Sequence, residues 1–308
     1  MHKTPFTAIL FLLSAWQLFA GVPQDSTLTS KTDTLPHWKI GGIGSFNFSQ
    51  GVLSNWVEGG ENSVSLLTIL NIHATYKEKR SVWTNSADYK FGLLKSGETG
   101  ILKKTEDKIE LNSKYGFKAI GNWYYSIAAN FRTQLFRGYN YPNDSVVVSA
   151  FMSPAYWIIT LGMDLKVKDK FSLFLSPLTS KTTIVSKTNL VDETKYGLEK
   201  GQRIKNEKGA YIKVLYKFKL DENIDVNTRL ELFSNYIHNP QNIDINSETT
   251  IQMQINKYLS VTLLLHFIYD DDINIPVYKL VNGQKTQVGT TKGLQFKEIM
   301  GIGFSYNF

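Results

Sequence analysis

From Trp38 to Phe308, large apolar side chains recur at every second position, in run after run. Period two means a strand with two unlike faces. The last run, Gly293 to Phe308, shows it plainly. Leu294, Phe296, Met300, Ile302, Phe304, Tyr306 and Phe308 alternate with Gln295, Lys297, Gly301, Gly303, Ser305 and Asn307. Glu298 interrupts the apolar face, and Ile299 sits on the polar one. Earlier runs keep the same rhythm at 38–50, 64–76, 83–93, 109–119, 123–135, 151–165, from 171 onward, 212–220, 224–232, 243–255 and 259–269. Asn85 is an exception on its apolar face. The pattern predicts an all-β chain of ~12 strands, an even number, and no convincing helix.

The connections alternate in length. Short ones fall at 77–80, 121–122, 168–170, 221–223 and 256–257, and long ones at 51–63, 95–108, 137–150, 179–208, 235–242 and 270–292. Short turns at one end and long loops at the other are expected of a single antiparallel up-and-down transmembrane β-barrel, with the short turns in the periplasm. Aromatics support this. Trp38, Tyr76, Trp83, Trp123, Phe171, Tyr258 and Phe308 sit beside the short turns or at the final residue, and Phe48, Phe91, Leu135-Phe136, Phe151 and Tyr269 near the long loops. Amphipathic rings favour the boundary between hydrocarbon and water.

Alternation alone does not say which face is outside. A soluble lipocalin-like barrel alternates too, with its apolar residues inside. The polar face decides. It carries Asp88, Lys90, Glu110, Lys114, Lys118, Arg132, Asp164, Lys213, Lys217, Asp225, Arg229, Glu231, Asp244, Glu248 and His266, with Lys39 at its start. A soluble barrel this wide would need a large apolar filling with no helix to supply it, whereas a membrane barrel holds water and paired charge. These residues are therefore expected to line a lumen.

Composition narrows the reading further. There are no cysteines, so disulfide and thiolate chemistry are excluded. The net charge of +7 is too weak and scattered for a nucleic-acid partner, but suits anionic headgroups. No stretch is apolar for the ~18 residues a membrane helix needs. Met1-His2-Lys3, the apolar run Ile9 to Ala20 and the small pair Ala20-Gly21 predict a signal peptide over 1–20 rather than a buried N-terminal helix. Residues 21–37 read as a flexible periplasmic lead-in, and 38–308 as the barrel.

The segment Phe46 to Ser65 carries Phe46-Asn47-Phe48-Ser49-Gln50, Asn55-Trp56 and Gly59-Gly60-Glu61-Asn62-Ser63. With the strand before it, this resembles a family of Bacteroidota outer-membrane proteins filed as a domain of unknown function. The resemblance would cover nearly the whole mature chain. It implies an outer-membrane barrel in a Gram-negative host, and it transfers no functional residues.

Chemistry is sparse. No phosphate loop, H-E-x-x-H or G-x-S-x-G occurs. His266 shares a face with Ser260 and Thr262, which invites a lipid hydrolase, but six residues along a strand is roughly 20 Å. Asp270-Asp271-Asp272 with Asn274 could hold calcium, though the spacing is not that of an EF-hand, and a solvated loop is the plainer reading. Lys187, Lys195, Lys200, Arg203 and Lys205 to Lys208 make the longest loop basic. Trp56, Glu58 and Glu61 mark the first long loop, with Trp56 expected to pack in the barrel mouth. No catalytic residue, metal or cofactor is assigned. Expected partners are outer-membrane lipid, lipopolysaccharide and the insertion machinery through the C-terminal strand, and the oligomeric state is left open. The residues predict a non-enzymatic barrel of the cell outer membrane, a narrow porin-like channel with a mixed-charge lumen. The alternatives are an envelope assembly partner with a closed lumen and a lipid-acting enzyme.

Overall fold

Alternation is realised as long strands, and length is what lets them cross an apolar layer. The computed structural model describes residues 37–53, 61–97, 100–141, 143–281 and 284–307. The barrel strands, 11 to 18 residues long, are β1 (Trp38–Gly51), β2 (Ser63–Glu78), β3 (Ser81–Ser96), β4 (Lys103–Lys118), β5 (Trp123–Thr133), β8 (Ala155–Val167), β9 (Phe171–Ile184), β10 (Ile204–Asp221), β11 (Ile224–Asn235), β12 (Asp244–Gln254), β13 (Leu259–Tyr269) and β16 (Gln295–Asn307). These twelve close in the order β1-β16-β13-β12-β11-β10-β9-β8-β5-β4-β3-β2, antiparallel throughout. The fold is a closed antiparallel up-and-down barrel. The expected signal peptide over 1–20, and the expected lead-in over 21–37 except His37, lie outside the described residues.

Two long connections are more ordered than expected. The 137–150 connection folds into a hairpin, β6 (Gly138–Asn140) with β7 (Asn143–Ser149), and the 270–292 connection into β14 (Ile275–Val281) with β15 (Gln284–Thr291). Several strands also outrun the apolar pattern. β4 starts at Lys103 rather than 109, β10 at Ile204 rather than 212, and β9 runs on to Ile184. The added stretches carry Thr105, Asp107, Ser180, Asn206 and Lys208 on their outer face, so the hydrophobic signal stops before the strand does. In the opposite sense, β8 begins at Ala155 rather than 151, just after Pro154, a residue with no N–H to give a ladder.

The two faces are sorted as an apolar exterior requires. Phe304, Met300, Phe296, Ile159 and Leu161 stand exposed on the outer wall. Glu110 and Asp164 on the inner wall are fully buried. A water-soluble barrel would reverse this arrangement. At the short-turn end, Trp38 lies 5.3 Å from Tyr76 and 5.7 Å from Trp83 between ring centroids, joining β1, β2 and β3 in one aromatic patch.

The inner wall is less uniformly polar than expected. Phe174, Tyr211 and Phe233 point inward from β9, β10 and β11 and pack into one buried cluster with Ala128. Leu67 and Leu264 are also buried inward residues, on β2 and β13.

Candidate functional site

The lumen is bridged at its waist. Glu248 on β12 accepts hydrogen bonds from Lys108 Nζ on β4 at 2.8 Å and pairs with Lys90 on β3 at 2.9 Å. β12 and β4 are six places apart in a ring of twelve, so this pair spans the bore. Arg229 on β11 reaches across to Glu110 on β4 at 2.9 Å and also approaches Glu248 at 3.5 Å. Lys108 further contacts Glu110 at 3.3 Å, and Lys213 holds Glu231 at 2.9 Å.

Geometry makes these bonds informative. Twelve strands about 4.8 Å apart enclose a circle roughly 18 Å across between backbones, and more once the strands tilt. Two side chains in contact span less than that, so opposite walls approach each other here. Glu110 and Glu231 are buried and Glu248 is half-buried, and each must be compensated, because an unpaired charge out of water costs several kcal/mol. Asn130 Nδ2 adds a donor to Glu110 at 2.8 Å.

Ion pairs continue above the waist. Lys297 Nζ donates to Glu106 at 2.6 Å, between β16 and β4. Lys181 pairs with Asp244 at 2.7 Å and with Asp270 at 3.5 Å, and Lys205 pairs with Asp272. Asn242 Nδ2 donates to Asp271 at 2.6 Å. The Asp270-Asp271-Asp272 run is thus taken up by two lysines and an amide. Among the described residues no cluster of three or more acids and histidines has metal-holding geometry.

A loop cap lies over the same end. Ala150, Val185, Val191 and Leu198 form a small apolar core with Val147 and Tyr196. A short 3-10 turn, Glu193–Tyr196, is started by Asp192, which accepts from Thr194 N, and ended by Gly197 at φ 75°. That φ suits glycine, which has no Cβ to clash. Tyr196 Oη donates to Val148 O at 2.6 Å, tying this loop to the β6–β7 hairpin. The Glu193 carboxylate accepts the Gly201 amide, and that bond holds its pKa below the usual carboxylate value.

Below the waist, Lys114 pairs with Asp164 at 2.7 Å, while Lys118, Lys217 and Asp225 are exposed at the short-turn mouth.

The expected lumen residues do not form one set. Lys90, Glu110, Lys213, Arg229, Glu231 and Glu248 make the waist network. Asp88 accepts from Asn71 instead, and Arg132 lies 5.0 Å above the Tyr156 ring. Asp244 belongs to the upper cluster around Lys181. His266 Nε2 meets Asn246 Oδ1 at 2.8 Å. Glu61 accepts from Ser96 Oγ at 3.0 Å at the loop rim. Trp56 and Glu58 lie outside the described residues. Lys108, Glu106, Lys181 and Glu207 were missed as lumen residues because they fall in stretches expected to be loops. Carrying period two past the apolar end of each strand would have found them. Two outer-wall depressions, one of about 440 Å³ lined by Ile72, Leu111, Phe131 and Trp157, face away from this network.

A family model described as a protein of unknown function (DUF3078) matches residues 48–139. That runs from the end of β1 into β6, the first strand of the first outer hairpin, and is narrower than the resemblance expected from sequence. No curated protein matches. Among solved structures, the chain is similar to an outer-membrane channel from Pseudomonas putida F1 at 12% identity and TM-score 0.39, covering 90% of this chain and 100% of that one. It is also similar to the translocator domain of the autotransporter NalP from Neisseria meningitidis, at 6% identity and TM-score 0.32, covering 87% and 86%. The toluene transporter TodX of P. putida gives 8% identity and TM-score 0.29, covering 88% and 90%. At such scores these likenesses carry no weight for solute or partner.

Proposed function

We propose that this protein resides in the outer membrane of a Gram-negative cell as a barrel held shut at its waist, a closed envelope component rather than an open pore. One observation carries the reading: Glu248 bonds to Lys108 on the opposite wall, with Arg229 and Glu110 closing the adjacent chord. The exposed apolar exterior and the aromatic patch at the short turns support the membrane placement. Outer-membrane lipid and lipopolysaccharide are then its immediate surroundings. A closed lumen leaves the ordered outer loops as the surface for envelope partners.

A second reading, the narrow channel, has one supporting feature: charges of both signs line the bore, as in a weakly selective pore. It requires the waist network to part. Recording in planar bilayers separates the two. Wild-type protein is expected to be electrically silent, whereas Lys108→Ala with Arg229→Ala is expected to show discrete conductance. Steady openings of the wild type at rest would overturn the closed reading.

A further inference from the structure

The seam where the first strand meets the last is incomplete. β1 and β16 pair over five residues, Ile43 to Asn47 against Asn307 to Gly303, where the other barrel neighbours pair over ten or more. Beyond Asn47 and Gly303 both strands continue. Phe48–Gly51 stays bonded to β2, and 299–302 stays bonded to β13. Among the described residues, the facing edges of these two stretches do not pair with each other.

The unpaired stretch lies within the apolar band. On the outside, Phe48, Met300 and Ile302 are exposed. On the inside, Leu67 is paired with Asn47, and Ile299 is paired with the fully buried Leu264. Asn47 marks the top of the closed part. It is 2% exposed, and its Nδ2 donates to Ser45 Oγ and Leu67 O. Its Oδ1 finds no donor among the described residues. Gly301 leaves it room, since a Cβ there would lie 2.9 Å from Asn47 Cβ.

Backbone edges are not tolerated against hydrocarbon unless they meet protein, water or another hydrogen-bonding group. An occupant of this gap must therefore bring donors or acceptors for two strand edges and an apolar part for the surrounding wall. A soluble ion supplies only the first, and an alkane only the second. A further protein strand would find four residues to pair with, fewer than the usual strand of about 5–6. We propose that the gap between β1 and β16 binds one amphiphilic lipid, with its ester and headgroup region between the strand edges and its acyl tail in the bilayer. This rests on the membrane reading above.

The test uses the full barrel in vesicles of phosphatidylethanolamine and phosphatidylglycerol, doped with a phospholipid carrying a diazirine beside its ester. After irradiation, adducts are mapped by mass spectrometry. The expected map has adducts on inward Leu67 and Ile299 as well as on outward Leu263 and Ile159. Phe48→Cys with Ile302→Cys, the next pair had the register continued, allows a disulfide to close the seam. Oxidation should abolish the inward adducts and leave the outward ones. Outward adducts alone in the wild type would overturn the proposal, and a polypeptide seated in the seam would give that result. Inward adducts that survive oxidation would also overturn it. If Leu263 and Ile159 escape labelling too, the membrane reading itself has failed. Should the double variant not fold, the wild-type map decides by itself.

Discussion

Arg229 on β11 ties one acid across the bore, Glu110, to the acids on its own side. Its guanidinium serves Glu110, Glu248 and Glu231 together, a task suited to a planar fork and not to an ammonium. Arg229→Ala leaves three buried carboxylates competing for Lys90, Lys108 and Lys213. Removing one partner of such a network costs about 3–5 kcal/mol. The expected result is a lower urea midpoint for the loss of heat-modifiable migration on gels, with Arg229→Lys recovering only part of it. Gly303 is constrained by contact instead of charge. A Cβ at that position would lie 2.0 Å from the Phe46 carbonyl oxygen, inside the short seam. Gly303→Ala is expected to prevent closure, seen as loss of the fast-migrating folded band, whereas Gly44→Ala, with nothing within 4 Å of its added Cβ, should fold.

At the scale of elements, alternation locates a strand only while one of its faces is greasy. β13 coincides with its sequence reading because Leu259 to Tyr269 is apolar outward along its whole length. β10 does not, because its first turns project above the apolar layer and carry Asn206 and Lys208 outward. The outer hairpins were hidden for a similar reason, being short and bearing no core of their own. The loop cap gives this scale its prediction. Glu193 is stabilised in the folded state by the Gly201 amide, so its pKa is lower folded than unfolded. That stability is full above the unfolded carboxylate value of about 4.3 and is lost as pH falls through the folded value. Hydrogen exchange at Gly201 and Leu198 should therefore quicken as pH drops below that range, beyond the intrinsic pH dependence. E193Q should remove this added dependence, and an identical profile in the variant would count against it.

For the whole molecule, the arrangement of faces governs everything else. Ile159 and Leu263 look outward and Arg229 and Lys114 inward. Ile159→Arg places a charge on the apolar wall, which costs about 2–4 kcal/mol at mid-bilayer. Thr160→Arg, one residue along, faces the lumen and meets a different problem, that of packing. Reconstituted Ile159→Arg should lose stability in lipid far more than in mild detergent, and equal losses in both would argue against a lipid-facing wall.

Strand existence, parity, the inward set of charges and the alternation of turn lengths follow from the sequence alone, because period two is a local property that each segment carries independently. Which charge meets which does not. Lys108 and Glu248 are 140 residues apart, and only closure of the ring, with its register and tilt, brings their strands to opposite sides of one bore. The same holds for the ion pairs across the waist and the five-residue seam. Both depend on distances between walls, and no pattern along a single strand encodes a distance to the strand across from it.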